Sequence, residues 1–309
     1  MSQPPTTNPK IVTVGLVQET WHRDPAAHAV ALRKGVLAAA AQGAQLVCLQ
    51  ELTLHRYFGD VKDKALFKLA EPLEKGPTSK LCKQLAKEAG VFVTASLYER
   101  ATQGAAHGAA QNAKRHLFNT AIIASPDGKF FGFTRKQHIP TSTGYTEDFY
   151  FEPGDSDYPV HDLGFIKLAL PTCYDQWFPE LARIYALKGA ELIIYPTAIG
   201  SEPDYPGFDT QPLWQQMMTT HAIANGLFVG AVNRTGDDED AAVDKRNKVR
   251  FYGSSFVCEP TGKLIAQAPR NKPAIVVAKL DFGVFKFWRE LFPLLNQRQP
   301  QTYKRLWHR

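Results

Sequence analysis

The sequence is poor in cysteine and has no long apolar run. Its four cysteines in 309 residues lie far apart and form no CxxC pair, so we expect neither a disulfide framework nor a cysteine-rich metal site. No stretch approaches the roughly 20 apolar residues that cross a bilayer. The opening segment, MSQPPTTNPK, has no apolar core like that of a secretion signal. We therefore predict a cytoplasmic protein with reduced thiols.

Clustered charge of one sign is also scarce. The formal net charge is +6, but the basic residues are scattered except in DKRNKVR (244–250) and the C-terminal YKRLWHR. A nucleic-acid-binding protein would show a basic stripe and a recognisable module, and neither is found. We therefore expect a small-molecule partner, with no nucleic acid and no membrane.

Short apolar runs rich in β-branched residues alternate with helical patterns along the chain. IVTVGLVQ (11–18) is followed by an Ala/Leu-rich segment that ends near Gln42, and then by AQLVCLQE (44–51). Continuous apolar strands of this kind are typical of a sheet that is covered on both faces. With 44% hydrophobic residues, enough for a sizeable core, the sequence predicts an α/β fold.

The two halves of the chain resemble each other. Three pairs of similar segments occur in the same order: 43–51 with 189–197, 86–96 with 222–232, and 118–132 with 252–266. If each half forms a sheet with helices outside, the two sheets must bury their remaining faces against each other. We predict a four-layer αββα sandwich with an internal pseudo-two-fold duplication. It would form one domain over residues 11–309, including the C-terminal tail, after a disordered tail of residues 1–10.

Two reactive side chains fall at the ends of predicted strands. Glu51 ends LVCLQE, and Cys173 ends IKLALPTC just before a helix that should begin near Phe178-Pro179. A helix N-terminus lowers a nearby thiol pKa from about 8.5 and stabilises an oxyanion. A thiolate that attacks an acyl carbon also needs a proton acceptor and oxyanion donors. This placement favours Cys173 as a nucleophile.

Other interpretations of these residues stay open at this point. A free cysteine is commonly a buried small hydrophobe, which is the role we assign to Cys48, Cys82 and Cys258. The sequence has nine histidines, but none lies in a known Cys-His signature, and the serine-hydrolase G-x-S-x-G elbow is absent. Glu51 and His55 have a spacing that could hold a metal on a helical face, although no third ligand is evident.

Several blocks of the sequence resemble the nitrilase superfamily of carbon-nitrogen hydrolases. LQELTLHRYF (49–58), RKQHIP (135–140) and CYDQWFPE (173–180) are similar to its three catalytic blocks. Within the superfamily, YTEDFYFEPGD (145–155), DQWFPE and YPTAIGSEP (195–203) are most similar to N-carbamoylputrescine amidases. The resemblance extends from about Ile11 to near Tyr303, so it covers almost the whole chain.

The resemblance implies a role for each matching residue. Glu51 matches the general base and Cys173 the nucleophile. Lys136 matches the lysine that binds the oxyanion together with the backbone N–H of Tyr174, and Glu147 matches a second glutamate that orients this lysine. The resemblance also implies an αββα fold and a homodimer or larger homo-oligomer. Because the thiol, the carboxylate and the ammonium supply the nucleophile, the base and the electrostatics, we expect chemistry that needs no cofactor and no metal.

The expected reaction is hydrolysis of a linear amide or ureido C–N bond through a thioester on Cys173. N-carbamoylputrescine would give putrescine, ammonia and carbon dioxide. A desolvated ammonium needs a carboxylate or an aromatic face as its partner. Glu202 is the candidate carboxylate, ahead of Asp204 and Asp209, and Tyr57 and Trp177 are candidate pocket walls.

The substrate has alternatives within the same superfamily. N-carbamoyl-β-alanine, an aliphatic amide, an ω-amide and a nitrile would all suit the same catalytic residues. A substrate that bears a carboxylate would need an arginine in the pocket, and Arg234 in VNRTG is the candidate. A non-catalytic scaffold is a further alternative, although Glu51, Lys136 and Cys173 are all present.

Overall fold

The computed structural model describes residues 10–102, 115–238 and 248–307. Residues 1–9 of the tail that we expect to be disordered, and residues 244–247 of the basic segment, lie outside this part of the chain. The described α-helices are α1 (Pro25–Ala41), α2 (Pro77–Ala89), α3 (Pro179–Leu187), α4 (Gln211–Asn225) and α5 (Phe282–Leu291). Short 3₁₀ helices span Lys64–Leu69, Glu147–Phe149, Cys173–Trp177 and Pro300–Trp307.

The strands of the first half are β1 (Ile11–Gln18), β2 (Leu46–Leu49), β3 (Phe92–Thr102), β4 (Arg115–Ala124) and β5 (Phe130–Arg135). The strands that follow are β6 (Val160–Asp162), β7 (Lys167–Ala169), β8 (Leu192–Pro196), β9 (Phe228–Val232), β10 (Thr235–Asp237), β11 (Arg250–Tyr252), β12 (Phe256–Cys258), β13 (Leu264–Gln267) and β14 (Ala274–Asp281).

Proline and glycine set the ends of the helices. Proline occupies the first turn of α1 to α4, where its missing N–H has no helical partner to lose. The predicted helix start near Phe178-Pro179 is confirmed, because α3 begins at Pro179. Gly90 and Gly226 end α2 and α4 with φ of 67° and 59°, a left-handed conformation that favours glycine.

The two sheets repeat one plan, which confirms the predicted duplication. The first sheet has the strand order β14-β1-β2-β3-β4-β5, and the second has β13-β12-β9-β8-β7-β6. In the first sheet, the parallel pairs β1-β2 and β2-β3 are followed by the antiparallel pairs β3-β4 and β4-β5. In the second sheet, the parallel pairs β7-β8 and β8-β9 are likewise followed by the antiparallel pairs β9-β12 and β12-β13. The three similar segment pairs lie at equivalent positions in the two sheets.

The layers pack as a four-layer αββα sandwich. The inner faces of both sheets meet in one core that includes Val14, Leu46, Leu168, Ile194 and Val257. Helices α1 and α2 cover the outer face of the first sheet, and α3 and α4 cover that of the second. Buried Cys48, Cys82 and Cys258 belong to these cores, as predicted.

The described residues contain no helix that is both long and apolar enough to cross a membrane. The inner core joins both sheets, which is the packing expected of one domain. The extent of that domain, residues 11–309, stays a prediction.

Candidate active site

Loops at the carboxyl ends of two parallel strands hold Glu51 and Cys173. Glu51 lies two residues beyond β2, and Cys173 lies four residues beyond β7. Strand β7 ends at Ala169, earlier than the segment IKLALPTC predicts, because Pro171 has no N–H to donate to a neighbouring strand. Leu52 and Cys173 have φ of 47° and 46°. A non-glycine residue keeps this conformation only where its surroundings enforce it, and such residues cluster at functional sites.

The structure brings Lys136, Glu51 and Glu147 together in a buried cluster. The Lys136 Nζ donates hydrogen bonds to Glu51 Oε1 at 2.9 Å and to Glu147 Oε2 at 2.6 Å. All three side chains are fully buried. Lys136 follows the last residue of β5, and Glu147 begins a 3₁₀ helix. One ammonium therefore bridges two carboxylates that lie 96 positions apart in the sequence.

Burial and pairing oppose each other in setting the charges of this cluster. Burial alone would lower the pKa of Lys136, but the carboxylates of Glu147 and Glu51 outweigh it and hold that pKa above its usual range. Burial raises the pKa of Glu147 to about 7, although Lys136 opposes the shift. The ammonium therefore stays charged at neutral pH.

Glu51 keeps one carboxylate oxygen free. Its Oε1 accepts hydrogen bonds from Lys136 and, at 2.7 Å, from the Asn119 amide. Its Oε2 is buried and has no hydrogen-bond partner among the described residues. A buried acceptor without a partner costs free energy, and such an oxygen is available to take a proton from a neighbouring group.

The Cys173 thiol is buried, with its Sγ 3.9 Å from the Ala198 carbonyl oxygen. The expectation of a lowered thiol pKa is wrong. Burial and the negative charge of Glu51 raise the pKa of Cys173 well above its usual value, and Lys136 only partly opposes them. The desolvation of the charged form outweighs any dipole effect, since Cys173 begins a five-residue 3₁₀ helix and α3 starts only at Pro179. The thiol therefore needs a base to become a nucleophile.

Tyr174 is the second residue of the 3₁₀ helix that begins at Cys173. In the 3₁₀ helix that Cys173 begins, the Asp175 N–H donates to the Thr172 carbonyl at 3.1 Å. The Tyr174 N–H precedes this bond and so has no acceptor within the helix. It is therefore a candidate oxyanion donor, as is the Lys136 ammonium.

A cavity of about 280 Å³ opens onto the thiol. Of the four predicted substrate-binding residues, Tyr174, Trp177 and Glu202 line it. The full lining is Pro140, Ser142, Tyr145, Cys173, Tyr174, Gln176, Trp177, Ile199 and Glu202. Glu202 is partly exposed, and within the described part of the chain it accepts only a long hydrogen bond, from the Thr210 hydroxyl at 3.4 Å. Its carboxylate is therefore available to a ligand.

Tyr57 is placed differently from its prediction as a pocket wall. The residue is fully buried, and its hydroxyl donates to Glu147 Oε1 at 2.9 Å. It is absent from the residues that line the cavity. Its hydroxyl gives the buried carboxylate of Glu147 a second donor besides Lys136.

Arg234 is also placed differently from its role as a candidate substrate-binding residue. Its fully buried guanidinium donates to the backbone carbonyls of Glu51 at 2.7 Å and His55 at 3.1 Å, and to Asp238 Oδ2 at 2.5 Å. These bonds occupy its donors on the side of the Glu51 loop. Arg234 therefore holds this loop and is not a partner for a substrate carboxylate in the cavity.

Three polar residues of this site were not predicted from the sequence: Asn119, Tyr145 and Asp175. Asn119 donates to Glu51, Tyr145 lines the cavity, and Asp175 accepts hydrogen bonds from the loop after Lys136. An amide in the apolar strand FNTAIIA and a carboxylate two residues after the cysteine were available signals. A polar residue in an apolar stretch identifies a candidate, but only the fold identifies its partner.

Buried neutral histidines support the Glu51 loop and predict a loss of stability in acid. His28 Nε2 donates to the Thr53 carbonyl at 2.9 Å, and burial lowers the pKa of both His28 and His55 to about 4. Their pKa in the unfolded chain is about 6.5, so below that pH the unfolded state binds more protons. Each histidine then lowers the free energy of unfolding by about 1.4 kcal/mol per pH unit until about pH 4.

Thermal unfolding of the wild type and a His28→Gln variant between pH 7.5 and 4.5 checks this prediction. The glutamine amide can still donate to Thr53 but does not titrate, so the variant should lose less stability over this range. An equally steep loss in both proteins would contradict the assignment.

Among the described residues, no group of three His, Cys, Asp or Glu side chains could hold a metal ion. Glu51 and His55 thus have no third ligand in that part of the chain. The expectation of metal-free chemistry stays a prediction.

The chain is similar to known proteins over most of its length. A family model described as carbon-nitrogen hydrolase matches residues 13–290. An N-carbamoylputrescine amidase of Arabidopsis thaliana is 37% identical over 95% of this chain and 94% of its own. A citrullinase of Francisella tularensis is 36% identical over 94% of this chain and 96% of its own. The crystal structure of a carbon-nitrogen hydrolase from Helicobacter pylori G27 has a TM-score of 0.86 and 33% identity, covering 97% and 99% of the two chains.

Proposed function

The chain belongs to the carbon-nitrogen hydrolase family of the nitrilase superfamily, and from this premise we propose that it cleaves the ureido C–N bond of an N-carbamoyl amine with a cationic tail. It is a hydrolase of carbon-nitrogen bonds other than peptide bonds. N-carbamoylputrescine is the proposed substrate, and putrescine, ammonia and carbon dioxide are the products. The observation that carries the proposal is the carboxylate of Glu202 in the cavity that holds Cys173.

In the proposed first half-reaction, the free Oε2 of Glu51 takes the thiol proton while Cys173 Sγ attacks the ureido carbon. The tetrahedral oxygen is bound by the Lys136 ammonium and the Tyr174 N–H. Glu51 then returns the proton to the departing amine nitrogen as the C–N bond breaks. The amine leaves, and a carbamoyl thioester remains on Cys173.

In the second half-reaction, Glu51 takes a proton from water, and the hydroxide attacks the carbamoyl carbon. Lys136 and Tyr174 again bind the tetrahedral oxygen. The C–S bond breaks, and the Cys173 thiolate recovers the proton from Glu51. Carbamic acid is released and decomposes to ammonia and carbon dioxide. Glu147 keeps Lys136 in place throughout, through the 2.6 Å bond to its ammonium.

The charge of the cavity supports a cationic tail. Glu202 is the one charged side chain among the residues that line the cavity in the described part of the chain, and Tyr145 and Trp177 offer aromatic faces. Burial raises the pKa of Glu202 above its usual value. The ammonium of a bound substrate would favour the ionised carboxylate of Glu202, and the two opposite charges would pair inside the cavity. A substrate whose tail bears a carboxylate would have no cationic side chain to pair with among these lining residues.

Substitution of Glu202 tests the proposal. In a Glu202→Gln variant, the KM for N-carbamoylputrescine should rise about 10- to 100-fold, since a hydrogen bond to a charged group contributes about 1.5–3 kcal/mol. The KM for butyramide, an uncharged amide, should change less than about threefold, because it makes no such bond. Ammonia release measures both, and Glu74→Gln, at an exposed position, is the matched control.

Two outcomes would decide against this substrate class. Equal effects of Glu202→Gln on the charged and the uncharged substrate would remove Glu202 from tail binding. Wild-type preference for citrulline or N-carbamoyl-β-alanine over N-carbamoylputrescine would keep the hydrolase and overturn the cationic tail. Citrulline is included because a citrullinase is among the similar proteins.

The expected assembly and location belong to the same proposal. A homodimer or larger homo-oligomer in the cytoplasm is expected for this enzyme. Large exposed apolar side chains at Phe287, Leu291 and Phe292, at the end of α5, support self-association, because obligate interfaces bury such surface.

A further inference from the structure

A buried carboxylate, Asp175, connects the loop that carries Lys136 to the turn that carries Cys173. Its Oδ1 accepts hydrogen bonds from the backbone N–H of His138 at 2.9 Å and from His138 Nδ1 at 2.8 Å. Its Oδ2 accepts from the backbone N–H of Thr172 at 3.0 Å. Asp175 is fully buried. One carboxylate thus bonds to Thr172, next to Cys173, and to His138, two residues after Lys136.

A ring contact reinforces this connection. The imidazole of His138 stacks on the Phe178 ring with a centroid distance of 3.6 Å and an interplanar angle of 8°. Because a carboxylate can only accept, His138 Nδ1 must carry the hydrogen in its bond to Asp175. Phe178 separates the 3₁₀ helix of Cys173 from α3. The loop after Lys136 is therefore held to the Cys173 turn by a polar and an aromatic contact.

The two sheets do not themselves fix the distance between these loops. Lys136 follows β5, an edge strand of the first sheet, whereas Cys173 follows β7 of the second sheet. No strand pairing joins β5 and β7 in the described sheets. Contacts between the loops therefore act together with the packing of the sheets to set the separation of the Lys136 ammonium and the Tyr174 N–H.

We infer that Asp175 is a positioning residue that aligns the two oxyanion donors, Lys136 and the Tyr174 N–H. The inference rests on the proposed function for the roles of those donors. Asp175 is not among the residues that line the cavity, so it would act through the backbone that it holds. Misplacement of a catalytic group by 1 Å can cost about 100-fold in rate, so a bond that joins the two loops has a large effect on transition-state binding.

The test uses two reagents that react with Cys173 in different ways. Iodoacetamide alkylates the thiolate by displacing iodide, and no oxyanion forms. Butyraldehyde adds the thiol to its carbonyl and forms a thiohemiacetal, in which the sulfur bonds to carbon and the former carbonyl oxygen lies where the oxyanion would lie. The ratio of aldehyde affinity to alkylation rate therefore reports the alignment of the oxyanion donors.

In an Asp175→Asn variant, we expect aldehyde affinity and kcat to fall about 10- to 100-fold. The alkylation rate and KM should change less than about threefold, because neither depends on oxyanion binding. Asp157→Asn makes the same chemical change at an exposed aspartate paired with Lys188, and should leave all four quantities unchanged. A parallel fall of alkylation rate and aldehyde affinity would mean general damage to the site and would overturn the inference.

His138→Gln provides a second variant in case Asp175→Asn does not fold. It keeps the backbone bonds to Asp175 and removes the ring, so aldehyde affinity should fall about three- to tenfold with alkylation unchanged. Unchanged aldehyde affinity in every folded variant at these two positions would refute the positioning role. Both reagents act without a substrate, so a protein that cleaves no N-carbamoyl amine yet loses aldehyde affinity on Asp175→Asn would refute the proposed function alone.

Discussion

A Cys173→Ala variant is expected to release no measurable ammonia from N-carbamoylputrescine, a loss of about 10⁶-fold in kcat, comparable with removal of a serine nucleophile from a triad. The methyl group cannot form a carbamoyl thioester, and Cys173 is the one cysteine among the residues that line the cavity in the described structure. The fold should persist, because alanine adds no bulk at the buried position. Ammonia release under saturating substrate measures the effect.

Cys258→Ala is the matched control, since this thiol is fully buried in the core of the second sheet. It removes the same sulfur from a position away from the cavity and should retain activity. Alkylation of the wild type with iodoacetamide should abolish the rate, and a chelator should leave it unchanged. Near-normal activity of Cys173→Ala, or loss of activity on chelation, would require a different mechanism.

Glu51→Gln should lower kcat by about 10²- to 10⁴-fold, the usual contribution of a general acid–base group. The amide keeps the shape of the side chain and an acceptor for Lys136, but it cannot take the thiol proton. It also removes a negative charge that, after burial, is the main cause of the raised Cys173 pKa. Alkylation of Cys173 should therefore reach its half-maximal rate at a lower pH in the variant than in the wild type.

The two readouts thus move in opposite directions in Glu51→Gln. Hydrolysis falls because the base is lost, whereas thiolate formation becomes easier because the charge is lost. A pH series of iodoacetamide alkylation, beside steady-state ammonia release, measures both. Hydrolysis within tenfold of the wild type would show that Glu51 is not the base, and a higher pH for half-maximal alkylation would show that its charge does not raise the Cys173 pKa. Glu74→Gln, at an exposed site, is the control.

Local patterns predicted the parts of the fold that depend on local interactions. Continuous apolar strands required a sheet covered on both faces, and the paired segments 43–51 and 189–197 indicated β2 and β8 at equivalent positions. Pro179 marked the start of α3. The end of β7 was less accurate, because Pro171 ends the strand before Cys173 although the sequence stays apolar.

Less of the candidate site could be predicted from the sequence alone. Strand ends suggested Glu51 and Cys173, but nothing in the sequence RKQH separates Lys136 from an ordinary surface lysine, and only a family resemblance selected it. The carboxylates of Glu51 and Glu147 hold this buried lysine in place and keep it charged. These contacts join residues 85 and 11 positions apart, so no local pattern encodes them.

The sequence by itself determined the α/β class, the duplication and the strand ends that bear Glu51 and Cys173, because hydrophobic periodicity and turn residues act over a few positions. Only the tertiary structure decided that Arg234 holds the Glu51 loop, that Tyr57 supports Glu147, and that the thiol pKa is raised. Desolvation and hydrogen-bond pairing depend on which distant side chains share a buried site. The packing of the two sheets against each other determines which side chains these are.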